Sequence, residues 1–178
     1  MINMKFNKFL WIFFFLILSC FIGFYGHILT ASHKFLDIFS ISIADVPTLK
    51  QTFSNWQSTP VDTENLFYYA WINKWLDFIW VLAYVPVVLI VSYNIRQGEI
   101  HPLMYKLLKF NFPLALLAGL LDMAENCILL YDMHGYTAQK HLISSQFVSW
   151  PKWFILFYLV FICLLSLFTR RLRAVNLS

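Results

Sequence analysis

The chain has 178 residues, 60% of them hydrophobic and only 12% charged, with a formal charge of +4. Water-soluble domains carry about a quarter of their residues as charges, so too few are present here to coat a globular surface, and a soluble class is excluded. The basic residues sit beside apolar blocks and no nucleic-acid motif accompanies them, which implies anionic lipid rather than nucleic acid as the partner of that charge.

Four apolar blocks, each close to the ~20 residues a helix needs to cross ~30 Å of hydrocarbon, predict a single all-α membrane domain, a four-helix transmembrane bundle. Phe is the most abundant aromatic, with 19 copies beside 9 Tyr and 7 Trp. Phe suits the hydrocarbon core, whereas Trp and Tyr favour the headgroup zone.

The first span covers residues 9–29, preceded by Lys5 and Lys8. A basic start and an apolar run are shared with signal peptides. This run is longer than a signal-peptide core and lacks a clear small-x-small cleavage site, Thr30-Ala31-Ser32 being the nearest match, so an uncleaved anchor is expected. The outside segment 30–70 follows. Asp45-Val46-Pro47-Thr48 reads as a helix start, with a short helix reaching Asn55 or Trp56. Phe35, Leu36, Ile38, Phe39, Phe53 and Trp56 suit this segment to the membrane surface or to capping the bundle.

The second span covers 71–93, its helix expected to start near Asp62-Thr63-Glu64, with Asp62 or Thr63 as cap and Glu64 at the positive end of the dipole. Pro86 lies within it and is expected to kink it. The third span covers 110–131, with a helix starting at Pro102 and stopping at Gly135. A loop carrying His134 and His141 leads to the fourth span, 150–168, which Arg170, Arg171 and Arg173 follow.

Lys and Arg set the direction. With both termini cytoplasmic, the inside segments hold Lys5, Lys8, Arg96, Lys106, Lys109, Arg170, Arg171 and Arg173. The outside segments, which are longer, hold Lys34, Lys50, Lys74, Lys140 and Lys152. The bias favours N-in, C-in. The sequon Asn176-Leu177-Ser178 is then cytoplasmic and silent. Cys20, Cys127 and Cys163 lie in apolar blocks without CxxC spacing and read as packing residues. No cofactor motif is visible.

One feature exceeds what packing asks. Asp122, Glu125 and Asn126 share one side of the third span, and Ala115, Ala118 and Gly119 extend that side toward the cytoplasm. Small residues let helices approach, and lipid does not solvate carboxylates, so this stripe is expected to face protein. Antiparallel spans bring His27, Asp77, Asp122, Glu125, Asn126 and Lys152 to similar depth near the outer face, with Lys74 and His134 close by.

Three uses of such a cluster stay open. It can be structural glue, in which Asp122 or Glu125 pairs with Lys152 or Lys74. It can bind a lipid headgroup or an amine, with Trp71, Trp75, Trp80, Trp150 and Trp153 as cation–π walls and a proton shared between adjacent acids. It can also be a membrane-embedded enzyme acting on a lipid or isoprenoid, the acids serving as acid and base or holding a metal with His27 and Asp77. Non-catalytic binding of a small or lipidic ligand, or assembly with a membrane partner or a second copy, is the expectation. No metal site is expected.

The stretch Ala118-Gly119 through Asp122 to Glu125-Asn126 resembles a pattern, A-G-x-x-D-x-x-E-N, in the third span of small four-span bacterial membrane proteins. That resemblance implies a bacterial cell membrane, the inner one, and brings no activity with it. The layout is also similar to emopamil-binding-type sterol bundles, by architecture alone.

Overall fold

In the computed structural model, the backbone is described for residues 4–30, 41–61, 64–138 and 141–175, and side chains for 11–24, 41–61, 64–138 and 141–172. Those residues form α1 (Met4–Thr30), α2 (Val46–Ser58), β1 (Pro60–Val61), β2 (Glu64–Asn65), α3 (Leu66–Gln97), α4 (Pro102–Thr137) and α5 (Gln146–Val175). The protein is thus all-α apart from one two-residue hairpin, in which Pro60 faces Asn65 and Val61 faces Glu64.

Among the described residues, three helices are long and apolar enough to cross a membrane: Leu66–Gln97, Pro102–Thr137 and Gln146–Leu172. They make this a membrane protein of the helical type. Within α1 the described apolar stretch, Trp11–Phe24, is shorter. The 36 residues of α4 extend ~54 Å at ~1.5 Å each. That exceeds the ~30 Å hydrocarbon layer, so α4 protrudes from it.

The helices pack in chain order, α1 along α3, α3 along α4 and α4 along α5, while α3 and α5 touch more sparsely. In place of a closed four-helix bundle, the described residues give three mutually touching helices with α1 laid against α3. The cause is visible in the side chains. In α1, Phe13, Phe14, Leu16, Phe21 and Phe24 point outward, and Leu18 is buried. The Trp80 indole stacks on Phe15 and donates to Ser19 Oγ at 3.0 Å, fixing α1 to α3.

Between α3 and α4 the contact depends on Gly119. A Cβ there would lie 2.7 Å from Val85 Cγ2, so a larger residue would push the helices apart. Further toward the C-terminal end of α3 a polar seam crosses three helices. Asn111 Nδ2 of α4 donates to Ser92 Oγ of α3 at 3.3 Å and lies 3.6 Å from Cys163 Sγ of α5. Cys163 packs against Ile95, Leu108 and Ile162 as expected and also makes this polar contact, whereas Cys20 and Cys127 are exposed, which corrects their assignment as packing residues.

Over the N-terminal end of α3 and the C-terminal end of α4, α2 forms a cap. Asp45 accepts from Thr48 N at 3.0 Å, and Pro47 occupies the first turn, where its missing N–H is harmless. The helix runs two residues past Trp56, to Ser58. It buries Leu49, Phe53 and Trp56 against Leu66 and Ala70 of α3 and Leu129 and Met133 of α4. The loop before α5 holds this cap down. Ser145 Oγ, Gln146 Nε2 and Ser144 Oγ donate to the carbonyls of Ser42, Ile43 and Ala44. Asp132, fully buried, steadies the loop by accepting from Ile143 N at 2.6 Å.

Helix boundaries depart from expectation in three places. α3 starts at Leu66, not near Glu64, because the hairpin intervenes and Asn65 is the cap, accepting from Tyr68 N at 3.0 Å. Asp62 and Thr63, expected as caps, lie outside the described residues. α4 runs through Gly135 to Thr137, since Gly135 is buried in packing there rather than ending the helix. α5 continues through Arg170, Arg171 and Arg173, so these arginines form its last turns.

Candidate functional site

The stripe on α4 faces protein. Asn111, Ala115, Ala118, Gly119, Asp122, Glu125, Asn126, Leu129 and Met133 are all buried, at spacings of one to four residues. This face looks onto α3 and α5, which bring the cations.

Lys152, in the second turn of α5 and 4% exposed, reaches across to both acids. Its Nζ lies 3.0 Å from Asp122 Oδ1 and 2.7 Å from Glu125 Oε2. The first contact is a hydrogen bond. The second is an ion pair whose angle leaves Glu125 Oε2 without hydrogen-bond geometry. The Lys152 ammonium also lies 4.8 Å from the centre of the Trp153 ring. Lys74 pairs within its own helix, to Asp77 at 2.6 Å. Asp77 and Lys74 stand within electrostatic reach of Asp122, and Lys74 of Glu125 as well. Tyr84, its ring tilted against that of Trp80 with centroids 4.7 Å apart, turns its hydroxyl toward Asp122 without meeting hydrogen-bond geometry.

Two features are left over. First, three carboxylates face two ammonium groups, so one negative charge is unmatched among the described residues. Second, buried amides lack partners. Asn126, 1% exposed, has neither its Oδ1 nor its Nδ2 in a hydrogen bond, and Asn73, also 1% exposed, leaves its Oδ1 bare. An unsatisfied buried polar group costs about 1–3 kcal/mol, so such atoms call for an explanation.

A cavity of about 10 Å³ lies beside Asn73, lined by Ile41, Phe53, Trp56, Ala70, Asn73, Lys74, Leu129 and Met133. That is roughly one water-sized space. Asn73 and Lys74 line this cavity, and Asn126 lies on the α4 stripe between Asp122 and Leu129, one helical turn before the cavity-lining Leu129.

Of the residues singled out in the sequence, Asp122, Glu125 and Lys152 make direct contact, Asp77 joins through Lys74, and Asn126 is buried among them. His27 lies on the α1 backbone, and its side chain is outside the described residues. His134 is exposed, away from the cluster, and so is His141. Trp71, Trp75 and Trp150 are exposed near the N-terminal ends of α3 and α5, and Trp153 is placed against the Lys152 ammonium. Asn73, Tyr84 and Asp132 were not singled out. Asn73 had a signal: it is a polar residue four before Asp77 and therefore on the same face of the helix. No group of three or more metal-ligating side chains lies together among the described residues.

Compared with protein families, with curated proteins and with solved structures, the chain has no match in any of the three. Fold and site together define a helical membrane protein with a buried acid–lysine cluster capped on one side by a short amphipathic helix.

Proposed function

We propose that this is a non-catalytic, four-span protein of the cell membrane, with both termini cytoplasmic, which binds a small, donor-rich cation at the outer end of its core. The ligand class is that of an ammonium group: ammonium itself, or the head of a small amine. The charge bias of the chain ends supports the topology. The 27 residues of α1 support a fourth crossing, at ~40 Å of helix against ~30 Å of hydrocarbon. The A-G-x-x-D-x-x-E-N pattern supports kinship with small bacterial four-span proteins.

The observation that carries the ligand is the orphaned Asn126 amide inside a cluster one positive charge short. Two of the orphaned amide atoms are acceptors, Asn73 Oδ1 and Asn126 Oδ1, and Glu125 Oε2 has an ion pair but no hydrogen bond. They match a species rich in N–H groups and positively charged. The cavity admits something the size of water or ammonium, and a larger amine enters only as α2 lifts. Both α4 acids are already engaged by Lys152, which suits binding better than acid–base chemistry.

Asn126→Leu separates this from a purely structural cluster. If nothing occupies the site, removing an unsatisfied amide relieves about 1–3 kcal/mol and the variant is more stable than the parent. If the site holds a cation, ammonium or methylammonium chloride raises the unfolding midpoint of the parent in detergent above that seen in equal sodium chloride. Asn126→Leu then loses the difference. A stabilised variant, with no ammonium-specific shift in the parent, overturns the proposal.

A further inference from the structure

At the opposite end of the core a second arrangement goes unused by the outer cluster. An open concavity of about 660 Å³ is lined by Leu167, Phe168, Arg170 and Arg171. It joins two unlike surfaces. Leu167 and Phe168 supply an apolar wall, exposed at 45% and 60%, and the two guanidinium groups lie immediately beyond. Arg170 is 24 residues past Gln146, or ~36 Å along α5, against a hydrocarbon thickness of ~30 Å. With α5 crossing the bilayer, the apolar wall lies at acyl depth and the guanidinium groups at phosphate depth.

Arg170 does not sample space freely. Its guanidinium rests against Gly98, the C-cap of α3, so closely that a Cβ on residue 98 would lie 2.5 Å from one of its nitrogens. Glycine is what lets the side chain lie there. The neighbouring acid, Glu99, is turned inward: Oε1 accepts from His101 N at 2.9 Å and Oε2 accepts from Ser166 Oγ. Glu99 is not among the residues that line the concavity.

We propose that this inner end of α5 is a binding site for an anionic phospholipid, its phosphate held by Arg170 and Arg171 and an acyl chain lying on Leu167 and Phe168. Guanidinium groups match phosphate oxygens in bidentate geometry. Free phosphate has the charge but no use for the apolar wall, and a zwitterionic lipid has the chain but no net charge.

The test uses the full chain in detergent, with phosphatidylglycerol, phosphatidylcholine or inorganic phosphate added. Phosphatidylglycerol is expected to raise the unfolding midpoint more than phosphatidylcholine, and phosphate alone is expected to leave it unchanged. Native mass spectrometry from an equimolar lipid mixture is expected to show phosphatidylglycerol retained about five-fold better for each arginine engaged. Replacing both arginines, R170Q with R171Q, should bring that preference to parity. Gly98→Val keeps every charge but displaces Arg170, and should lose part of the preference. A Gly98→Val protein with the full parental preference contradicts a shaped site. A phosphate shift equal to that of phosphatidylglycerol overturns the lipid assignment. If the arginine variants do not survive purification, equal retention of the two lipids by the parent also overturns it.

Discussion

Lys152 is the cation on which both α4 acids depend, so Lys152→Met removes the centre of the cluster without changing its volume much. At an effective dielectric constant of about 20, unit charges at 3.0 and 2.7 Å attract by about 6 kcal/mol each. Desolvation takes back several kcal/mol per ion. What is left when one partner of a buried pair is deleted is about 3–5 kcal/mol. Polar contacts between membrane helices average only about 0.6 kcal/mol. The larger figure applies here, because two buried carboxylates lose the same partner. Protonation sets a ceiling. Neutralising an ordinary carboxyl group costs about 4 kcal/mol at pH 7, and about 1.4 kcal/mol less for each pH unit below. At about 2–4 °C per kcal/mol for a chain of this size, the unfolding midpoint in detergent is expected to fall by roughly 6–20 °C at pH 7. About half of that loss should return at pH 5. Adding Asp122→Asn and Glu125→Gln to Lys152→Met removes every charge of the triad and should recover most of it. The assay is the loss of the monodisperse chromatographic peak on heating. A single variant that melts within about 2 °C of the parent at pH 7 refutes the shared ion pair.

Gly119→Ala is expected to cost about 1–3 kcal/mol through overpacking, since its Cβ would meet Val85 Cγ2 at 2.7 Å. Adding Val85→Ala should return most of that stability, and a double variant no better than Gly119→Ala argues against this contact as the cause. The Thr48 side chain and backbone N–H hold the Asp45 carboxyl below its usual value of 3.8. A depressed value means that the cap stabilises α2 above that usual value and is lost only as the pH falls through the lower, folded one. Hydrogen exchange of α2 amides, corrected for intrinsic rates, should therefore stay protected at pH 4. Protection already gone at pH 5 contradicts it, and Asp45→Asn should remove the pH dependence.

Much of the fold is legible in the chain itself because lipid imposes a simple rule. Each long apolar block must be a helix that satisfies its own backbone, and Pro102 and Asp45-Val46-Pro47 mark two helix starts by their chemistry. The stripe from Ala115 to Asn126 is legible for the same reason, since carboxylates and small residues on one face have nowhere to go but inward. The helix order in space is not. The described part of α1 carries several exposed aromatic residues, and nothing in that pattern says that it packs chiefly along α3. The cap of α3 was misplaced because Asp62, Thr63 and Asn65 all have capping side chains, and only the hairpin decides for Asn65. The pairing of Lys74 with Asp77 rather than with the α4 acids depends on side-chain direction along one helix, which spacing allows but does not select. Asp132 reads as a loop residue in the chain, yet it is buried because the loop folds back onto it.

The most direct measurement is an experimental structure of the protein in a lipid nanodisc containing ammonium, at a resolution that shows single bound waters and ions. Lys152 Nζ is expected within hydrogen-bond reach of both Asp122 and Glu125, with a density peak between Asn126 and Asn73. Either acid turned toward the acyl chains, or the Asn126 amide bonded wholly to protein atoms with no density beside it, would contradict the cluster and its ligand.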